Sequence, residues 1–308
     1  MIITLTLNPA LDRTMTIDTL RVGELNRINQ VQVDGGGKGI NVSKALAKLG
    51  IESRAMGFMA GDTGKQLVGG LSPLVTPGFT WLESGAIRVN TKILARSTGE
   101  TTELNEAGPT VTARDCDRLL QDLDSVVDGH EYLVIAGSLP PGADNNFYAQ
   151  VISWAHEREI KTILDASGDA LIHGVRSVPW MIKPNVDEAR QLGYQIKSIP
   201  DGLRAIEHWI SQGIRLVVLT LGSQGALFGY EDQRVWAKGS APNIGSTVGC
   251  GDSALAATVG YLSQGCDWNM VIRLAMATST ATATTEGTTF LSAAEIQPFL
   301  ASVELQIL

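Results

Sequence analysis

The residues best suited to chemistry lie in a glycine-rich turn, Gly245 to Ser253, that leads directly into a stretch of small residues with helical character. Glycine at positions 249 and 251 leaves no Cβ atom to keep backbone N–H groups away from an anion, and the free N–H groups of the helix start point to the same place. The turn therefore predicts a polyphosphate site. A carboxylate beside an anion costs energy unless it accepts a proton or holds a metal, so Asp252 is a candidate general base. The alternative is a helix N-cap, which Asp also favours.

A second candidate site is Lys183-Pro184-Asn185-x-x-Glu188, at the end of a predicted strand. Pro184 excludes Lys183 from the helical region, and Asn185 suits the N-cap of the helix that follows. Asn185 and Glu188 then share one face of the first turn, a spacing able to hold water-coordinated Mg²⁺ near a phosphate. A solvated capping motif without a metal is the alternative interpretation.

Single polar residues at predicted strand ends, in loops or in a predicted lid could complete such a site: Asp12, Lys38, Asn41, Arg88 and Ser138. Taken one at a time, each could be an ordinary surface residue, and Ser138 could belong to a plain Pro-Gly turn. Together they suit phosphoryl transfer, which needs positioned phosphates, a metal, an acceptor hydroxyl and a group to take its proton.

Other phosphate-binding and nucleophile motifs are excluded by their spacing. The two Gly-Lys pairs, Gly37-Lys38 and Gly64-Lys65, are followed by Gly39 and Gln66 where a P-loop needs Ser or Thr. Gly249-x-Gly251-x-x-Ala254 matches a dinucleotide fingerprint, but no strand ending in Asp or Glu follows about 20 residues later. Gly222-Ser223-Gln224-Gly225 lacks the spacing of a nucleophile elbow.

The elements that must position these residues alternate between strand and helix. Predicted strands cover residues 2–7, 54–58, 132–136, 162–164, 180–182 and 216–221, with antiparallel edge strands at 225–230 and 234–237. Predicted helices cover residues 42–49, 64–71, 112–127, 145–157, 168–173, 186–192, 202–212, 251–264, 268–283 and 296–303, and residues 72–79 are predicted to form a loop. This alternation predicts an α/β fold with a mainly parallel sheet and helices on both faces.

Four extended segments fall outside this alternation, at residues 15–17, 25–33, 87–94 and 101–104. We expect them to form a small β-sheet lid, made by segments of about 12–34 and 86–106, on a single domain that spans residues 1–308. A small exposed sheet needs another apolar surface to cover one face. We therefore expect a homodimer whose lids pack together.

Composition limits the class of partner. The net charge of −8 and the pI near 5.1 argue against a protein that binds nucleic acid or a membrane surface, and they favour a small-molecule partner. The three cysteines show no CxxC spacing and the four histidines are far apart in sequence, so neither a disulfide framework nor a zinc site is indicated. The N-terminus lacks a signal-peptide pattern and no run could span a bilayer, which predicts a soluble cytoplasmic protein.

Five motifs in order resemble a known family along essentially the whole chain. They are Thr6-Leu7-Asn8-Pro9-Ala10-Leu11-Asp12, Gly36-Gly37-Lys38-Gly39-Ile40-Asn41-Val42, Ala136-Gly137-Ser138-Leu139-Pro140-Pro141-Gly142, Lys183-Pro184-Asn185-x-x-Glu188 and Thr247-Val248-Gly249-Cys250-Gly251-Asp252-Ser253. In this combination the sequence resembles the ribokinase-like sugar kinases, in particular the phosphofructokinase-B branch, whose members phosphorylate sugar phosphates. The resemblance implies a three-layer αβα domain with a β-sheet lid, and a lid-mediated dimer.

The same resemblance implies roles for individual residues. Asp252 would be the catalytic base, with the backbone of Gly249, Cys250 and Gly251 as the anion hole. Asn185 and Glu188 would belong to the metal-phosphate network, with Mg²⁺ as the metal and ATP as the phosphoryl donor. The nucleotide site would include Lys183, Asn185, Thr220, Gly222, Gly225, Thr247, Gly249 and Gly251. Sugar hydroxyls would be held by Asp12, Gly37, Lys38 and Asn41, and the existing phosphate of the substrate by Arg27, Lys38, Arg88 and Ser138.

Two departures from the family pattern affect specific expectations. The family usually has Ala where Cys250 stands, and a thiol there would make activity sensitive to oxidation if its pKa were lowered. The segment from Thr278 to Thr289 is unusually rich in threonine, which leaves nucleotide preference and a monovalent-cation site open.

The substrate is expected to be a ketohexose phosphate. The segments Leu7-Asn8-Pro9 and Leu104-Asn105-Glu106-x-Gly108-Pro109 look most like 1-phosphofructokinases and tagatose-6-phosphate kinases. We expect fructose 1-phosphate to be converted to fructose 1,6-bisphosphate, with tagatose 6-phosphate and fructose 6-phosphate as alternatives that the motifs do not separate. A non-catalytic sugar- or nucleotide-binding protein on the same fold is the alternative from another class.

Overall fold

The computed structural model of the chain describes residues 1–285 and 287–308. The strands are β1 (Ile2–Thr6), β2 (Ala10–Ile17), β3 (Gln30–Gly36), β4 (Ser53–Met59), β5 (Val75–Pro77), β6 (Thr80–Trp81), β7 (Arg88–Ala95), β8 (Thr101–Leu104), β9 (Tyr132–Ala136), β10 (Lys161–Asp165), β11 (Met181–Ile182), β12 (Leu216–Thr220), β13 (Ala226–Tyr230), β14 (Gln233–Lys238) and β15 (Glu304–Ile307). The helices are α1 (Lys38–Lys48), α2 (Gly61–Gly69), α3 (Ala113–Asp124), α4 (Phe147–His156), α5 (Gly168–Arg176), α6 (Val186–Gln191), α7 (Ile199–Ser211), α8 (Cys250–Ser263), α9 (Trp268–Ala283) and α10 (Ala293–Ile296).

The main sheet runs in the order β15-β14-β13-β12-β11-β10-β9-β1-β4-β5, and β6 also pairs with β4. The strands β12, β11, β10, β9, β1 and β4 pair in parallel, and β5 and β6 each pair in parallel with β4. On the other side of β12 the pairing is antiparallel, through β13 and β14 to β15. Because the parallel strands share a direction, their carboxyl ends meet at one edge of the sheet, where ligands bind in open α/β folds.

Helices cover both faces of this sheet, which is why its central strands are apolar throughout. One buried cluster joins the sheet to α3, α4, α5, α6 and α7, and a second joins the opposite face to α1, α8 and α9. The predicted three-layer α/β architecture is therefore confirmed. No helix among the described residues is both long enough and apolar enough to cross a bilayer.

A second sheet, the lid sheet, has the strand order β3-β2-β7-β8. Residues that face each other in register lie on the same side of a sheet, and alternate residues lie on opposite sides. Met15, Val31 and Ile93 form one such row, while Asp12, Asp34 and Asn90 form a row on the other side. The lid sheet thus has an apolar face and a polar face.

Ile17 and Ala95, which pair at the far end of the apolar face, are 3% and 6% exposed. The face is also covered near the body of the protein. There Leu11 and Val89 pack against Ile40 and Leu67. Farther out, Val31, Val33 and Leu104 are 45%, 41% and 56% exposed. The lid sheet therefore presents an uncovered apolar surface within the described residues.

Three local predictions differ from the structure. Residues 75–77, predicted as loop, form β5 against β4, so pairing to the sheet decides their conformation although they end in a proline. The predicted helix 296–303 is instead the short α10 followed by a 3-10 helix, Gln297–Ser302, because Pro298 cannot donate to an α-helical ladder. The final strand β15, which was not predicted, pairs with β14 at the sheet edge.

Candidate active site

Asp252 lies in the first turn of α8, at the carboxyl edge of the main sheet. The helix is capped by Gly249 in a left-handed conformation with φ of 82°, and no side chain caps it. The carboxylate of Asp252 instead accepts a hydrogen bond from Asn41 Nδ2 on α1, with 2.8 Å between Nδ2 and Oδ2. The interpretation of Asp252 as a mere N-cap is therefore wrong, because its side chain is directed to α1 and not to the helix start.

The environment of Asp252 makes it a stronger base than an exposed aspartate. Its side chain is buried, with 8% of the residue exposed. Burial, with a further contribution from the negative charge of Asp165, raises the pKa of Asp252 to about 6, against the opposing effect of Asn41 and two lysines. A carboxyl group of this pKa is ionised at neutral pH and can take a proton there.

The glycines of the turn make room for specific neighbours. A Cβ atom at position 251 would stand 3.2 Å from Nζ of Lys183, so glycine lets this ammonium group approach the start of α8. At position 249 a Cβ atom would stand 3.2 Å from the ring of Phe290 and from the methyl group of Thr288, in addition to the positive φ. The helix start and the lysine thus create a region of positive potential beside Asp252.

Two lysines and two carboxylates form an ion network next to this turn. Oδ1 of Asp165 lies 2.9 Å from Nζ of Lys38, and Oδ2 of Asp165 lies 3.1 Å from Nζ of Lys183. Lys38 also contacts Oε1 of Glu188 over 3.3 Å. Asp165 and Lys183 are buried, whereas the Lys38 side chain keeps 36% of its surface exposed. Lys38 can therefore reach a ligand while it is held by both carboxylates.

The charges of the network favour the ionised forms of Lys38 and Asp165. Burial lowers the pKa of Lys38, but the negative charges of Asp165 and Glu188 outweigh burial and raise it. For Asp165, burial raises the pKa, and the positive charges of Lys183 and Lys38 outweigh burial and lower it. The site consequently keeps Lys38 as a cation close to the place where the turn favours an anion.

Asn185 and Glu188 form a capping box at the start of α6. The side-chain oxygen of Asn185 accepts a bond from the Glu188 backbone N–H over 2.8 Å, and Oε2 of Glu188 accepts one from the Asn185 N–H over 2.9 Å. The capping interpretation is confirmed as local structure. Capping is not the only interaction of the Glu188 side chain, because its other oxygen, Oε1, is directed to Lys38 in the network.

The residues predicted for the nucleotide site lie at neighbouring strand ends. Thr220 forms an isolated parallel bridge with Asn185, and its N–H donates to the carbonyl of Pro184 over 3.0 Å. Gly222 and Gly225 begin and follow a 3-10 turn with positive φ values of 60° and 90°. A Cβ atom at Gly225 would come within 2.1 Å of the Ala237 carbonyl, so this turn requires glycine. Thr247 accepts a backbone bond from Cys250 over 3.4 Å.

Asp12 lies on lid strand β2 and meets the glycine-rich segment that precedes α1. Its Oδ1 accepts a bond from Asn90 Nδ2 on β7 over 3.1 Å. A Cβ atom at position 36 would stand 2.5 Å from Oδ2 of Asp12, so Gly36 is needed for this approach. Gly37 caps α1 with φ of 107°. Asp12 therefore lies on the polar face of the lid sheet, above the start of the helix that carries Lys38 and Asn41.

Arg88 and Ser138 meet at a third residue, Asn8. The guanidinium of half-buried Arg88 donates to the carbonyl oxygen of Asn8 from Nε over 3.2 Å and from Nη2 over 3.0 Å. The side-chain amide of Asn8 lies 3.5 Å from Oγ of Ser138. Burial lowers the pKa of Arg88, and the charge of nearby Asp12 opposes this effect. The structure thus brings two of the four residues predicted to bind the substrate phosphate, Arg88 and Ser138, together around Asn8.

Arg27 is not brought into this arrangement. It lies exposed in the connection between β2 and β3, and no hydrogen bond or ion pair joins it to the site residues across the described parts of the chain. Its role stays a prediction.

The structure shows the surroundings of Cys250 and of the threonine-rich segment, the two departures from the family pattern. Burial, with the negative charge of Asp252, raises the pKa of Cys250 to about 11, so the lowered pKa that would make this thiol sensitive to oxidation is absent. Thr278, Thr282 and Thr284 donate their hydroxyls to carbonyls of α9 itself. Of the threonine-rich segment, position 286 lies outside the described residues.

Sequence reasoning missed Asp165, Asn8 and Asn90. Asp165 ends the parallel strand β10 at the ligand edge of the sheet, so the rule that singled out Asp12 could also have found it. Asn8 follows β1 at the same edge, so that rule could have found it as well. Asn90 carries no such signal, since its role depends on a contact across 78 residues of sequence.

The assembled site combines a buried carboxylate with raised pKa, a helix start, two ammonium groups and a guanidinium at the edge of one cleft. No group of three or more His, Cys, Asp or Glu side chains in the described chain could by itself enclose a metal ion. Such a set can bind two anionic groups and remove a proton between them.

Comparisons with known proteins agree with this arrangement. The profile of the family described as pfkB family carbohydrate kinase matches residues 5–295. The chain is 31% identical over 287 residues to a 1-phosphofructokinase of Vibrio cholerae, covering 93% of this chain and 90% of that one. It is 34% identical over 264 residues to a tagatose-6-phosphate kinase of Staphylococcus epidermidis, covering 83% of each. A solved structure described as a possible 1-phosphofructokinase from Thermotoga maritima superposes with a TM-score of 0.90 at 27% identity, covering 100% of this chain and 99% of that one.

Proposed function

The chain belongs to the pfkB family of carbohydrate kinases and is a sugar-phosphate kinase with a ribokinase-like fold, and from this we propose that it transfers the γ-phosphoryl group of ATP to a ketohexose phosphate with Asp252 as the general base. Fructose 1-phosphate is the proposed acceptor and fructose 1,6-bisphosphate the product. The proposal rests on family membership for the reaction and on the geometry of the site for the residue roles.

The observation that carries the proposal is the state of Asp252. Its pKa is raised to about 6 and one of its oxygens is fixed by Asn41, so the other oxygen, Oδ1, is available to a substrate hydroxyl. In the proposed step the hydroxyl oxygen attacks the γ-phosphorus, its proton passes to Asp252, and ADP leaves with the electrons of the broken P–O bond. A base with a pKa below the working pH is ionised and ready for this transfer.

The second requirement of this chemistry is to stabilise the transferred phosphoryl group, because the transition state spreads negative charge over its oxygens. The N–H groups of Gly251 and Asp252 belong to the first turn of α8, where helix geometry provides no carbonyl partner one turn earlier. Lys183 approaches the same turn. We assign the backbone of Gly249, Cys250 and Gly251, together with Lys183, to stabilisation of the transferred group.

The sugar is assigned to the cleft between the lid sheet and the start of α1. Asp12 and Asn41 offer hydrogen-bonding groups to sugar hydroxyls, Gly37 caps the helix that carries Asn41, and Lys38 keeps part of its surface exposed. The existing phosphate is assigned to Arg88, Ser138 and Lys38, with Arg27 as a further ligand from the lid connection. A guanidinium suits a phosphate dianion because it offers several N–H donors in one plane.

The nucleotide is assigned to the neighbouring strand ends that carry Thr220, Gly222, Gly225 and Thr247, with the phosphates directed toward Lys183. This places ATP and the sugar phosphate on opposite sides of Asp252. The bridge between Thr220 and Asn185 supports the assignment, since it joins the nucleotide side to the acidic residues of the network.

A magnesium ion fits beside the phosphates. Glu188 is buried and uses one oxygen for its capping bond and the other for Lys38, and a carboxylate has lone pairs beyond these two contacts. Mg²⁺ is usually bound through one or two carboxylates, waters and substrate phosphates, which suits a site without a larger acidic cluster. We propose that Glu188 and Asn185 hold Mg²⁺, partly through water, where it would neutralise phosphate charge.

The lid sheet supports a homodimer. Its apolar face is uncovered at Val31, Val33 and Leu104, and four strands with one bare apolar face are marginal in water. We propose that the lid sheets of two copies of this chain pack together through these residues.

The test of the proposed function is ADP release with ATP, Mg²⁺ and a panel of acceptors: fructose 1-phosphate, fructose 6-phosphate, tagatose 6-phosphate and unphosphorylated fructose. We expect the highest kcat/KM with fructose 1-phosphate. A higher value with either other sugar phosphate would replace the proposed acceptor while leaving the reaction class intact. Sugar and nucleotide binding without ADP release would support the non-catalytic alternative and overturn the proposal.

A further inference from the structure

Asn8 is a buried side chain that is not among the residues assigned above to the substrate or the nucleotide. It follows β1, is 4% exposed, and is flanked by Pro9. Its Nδ2 donates to the carbonyl of Ala107 over 3.0 Å and lies 3.5 Å from the carbonyl of Leu139. Two carbonyl oxygens around one end of the amide identify that end as the NH₂ group, because an amide oxygen there would be repelled.

The amide of Asn8 acts on Ser138 in a specific way. It approaches Oγ of Ser138 as a donor over 3.5 Å, so the serine oxygen accepts. A hydroxyl that accepts in this way keeps its own O–H hydrogen for another partner. Ser138 is therefore left free to donate to an anion.

The backbone carbonyl of Asn8 acts on Arg88 in a similar way. It accepts from Nε and from Nη2 of the guanidinium, which uses two of its five N–H donors. The remaining donors are held in a fixed plane with no need for a carboxylate partner. Arg88 is thus oriented without being neutralised.

The segment after the lid sheet is shaped around the same side chain. Oδ1 of Asn8 stands 2.2 Å from the place of a Cβ atom at Gly108, whose φ is +96°. This oxygen is buried and has no hydrogen-bond partner among the described residues. Glycine at position 108 is therefore required for Asn8 to keep its place between the lid connection and Ser138.

We propose that Asn8 is a positioning residue for the existing phosphate of the substrate, acting by orienting Arg88 through its carbonyl and Ser138 through its amide. The inference rests on the proposed function, since it deepens the assignment of Arg88 and Ser138 to that phosphate. It makes Asn8 a determinant of affinity for a phosphorylated sugar, without contact between Asn8 and the reacting atoms.

The test is a double-mutant cycle with Asn8→Ala and Ser138→Ala, with KM for fructose 1-phosphate as the main readout. We expect Ser138→Ala to raise this KM about ten- to a hundredfold, because one charge-assisted hydrogen bond is lost. Asn8→Ala should raise it about five- to tenfold, because that bond is misplaced but not removed. In the double variant the effect of Asn8→Ala should fall below about twofold, since residues that act through one another are not additive. KM for ATP should stay within about twofold of the unsubstituted protein in all three.

Asn145→Ala is the matched control, because Asn145 is exposed and bonds to Asp169, and neither residue is assigned to the sugar phosphate or the nucleotide. Fully additive effects of the two substitutions would overturn the inference. If Asn8→Ala does not fold, Ser138→Ala decides alone, and an unchanged KM for fructose 1-phosphate would overturn it. Absence of phosphoryl transfer to every sugar phosphate in the unsubstituted protein would instead overturn the proposed function, so the two failures are distinguishable.

Discussion

Asn41 on α1 holds Asp252 on α8 through a hydrogen bond of 2.8 Å between Nδ2 and Oδ2. The bond fixes the orientation of the carboxylate and leaves Oδ1 without a partner in the described chain. The residue predicted to touch the sugar and the residue predicted to take its proton are therefore in direct contact, across a separation of 211 residues.

Replacing Asp252 by Asn should abolish most turnover while preserving the fold. Asn can still accept the bond from Asn41, but it cannot take a proton, and general-base catalysis is worth about 10²- to 10⁴-fold. We expect kcat to fall by at least about a hundredfold with ATP affinity kept. The measurements are kcat, ATP affinity and the thermal midpoint, and a variant that keeps more than about a tenth of kcat would contradict the assignment.

The pH dependence should report the raised pKa of Asp252. A base must be deprotonated to act, so kcat should rise with pH, reach half its maximum near pH 6 and level off about one unit higher.

The contribution of Asp252 to the stability of the fold should change with pH in the opposite direction. Because the folded pKa lies above the reference value of 3.8, the fold favours the protonated form, and this contribution is lost as pH rises from about 4 to about 6. As pH rises across this range, the thermal midpoint of Asp252→Asn should therefore rise relative to that of the unsubstituted protein. A difference in midpoint independent of pH would contradict the assigned pKa.

Arg88→Ala should chiefly raise KM for the sugar phosphate. The loss of one charge-assisted interaction of about 1.5–3 kcal/mol corresponds to about a ten- to hundredfold weaker affinity. Arg96→Ala is the matched control, because Arg96 is exposed just beyond the end of the same strand. Equal KM values for the two variants would remove Arg88 from the phosphate site.

Glu188→Gln should raise the Mg²⁺ concentration needed for half-maximal rate. The amide oxygen of Gln can still accept the capping bond from Asn185, but one negative charge is lost from the network. The control is Asp187→Asn on the same helix, since Asp187 is exposed and pairs with Arg190. If both variants show the same Mg²⁺ dependence, the motif has only its capping role.

Val31→Asp should dissociate the proposed dimer, because it places a charge in the row with Met15 and Ile93 on the apolar face of the lid sheet. Gln32→Asp, one residue along on the polar face, introduces the same charge without touching that surface. Sedimentation velocity should give a monomer for the first variant and a dimer for the second. A monomeric, fully active unsubstituted protein at working concentration would rule out the lid dimer.

Local patterns predicted much of the fold. The N-cap at Asn185 occurs as predicted, and α9 has the predicted bounds, because caps and helical periodicity are determined within a few residues. The edge strand β15 was missed since its conformation depends on pairing with β14, which lies about 70 residues earlier. A strand of four residues has too little pattern to reveal such a partner.

Individual site residues were predicted from the sequence, but the contacts between them were not. Lys38 was assigned to the substrate and Lys183 to the nucleotide from separate motifs, yet both are held by one carboxylate, Asp165. No motif contains that link, because it forms only when three strand ends and a helix start come together. Burial likewise determines the pKa of Asp252, and burial is a property of the folded chain.

The two faces of the lid sheet are fixed by one register. Asp12 and Met15 lie on the same strand on opposite sides, one toward the cleft and one toward the uncovered apolar surface. A single-residue insertion or deletion in β2 would exchange the sides, sending the carboxylate outward and the methionine into the cleft. The proposed substrate contact of Asp12 and the proposed lid dimer therefore depend on the same register, and a shift of one residue in β2 would disrupt both.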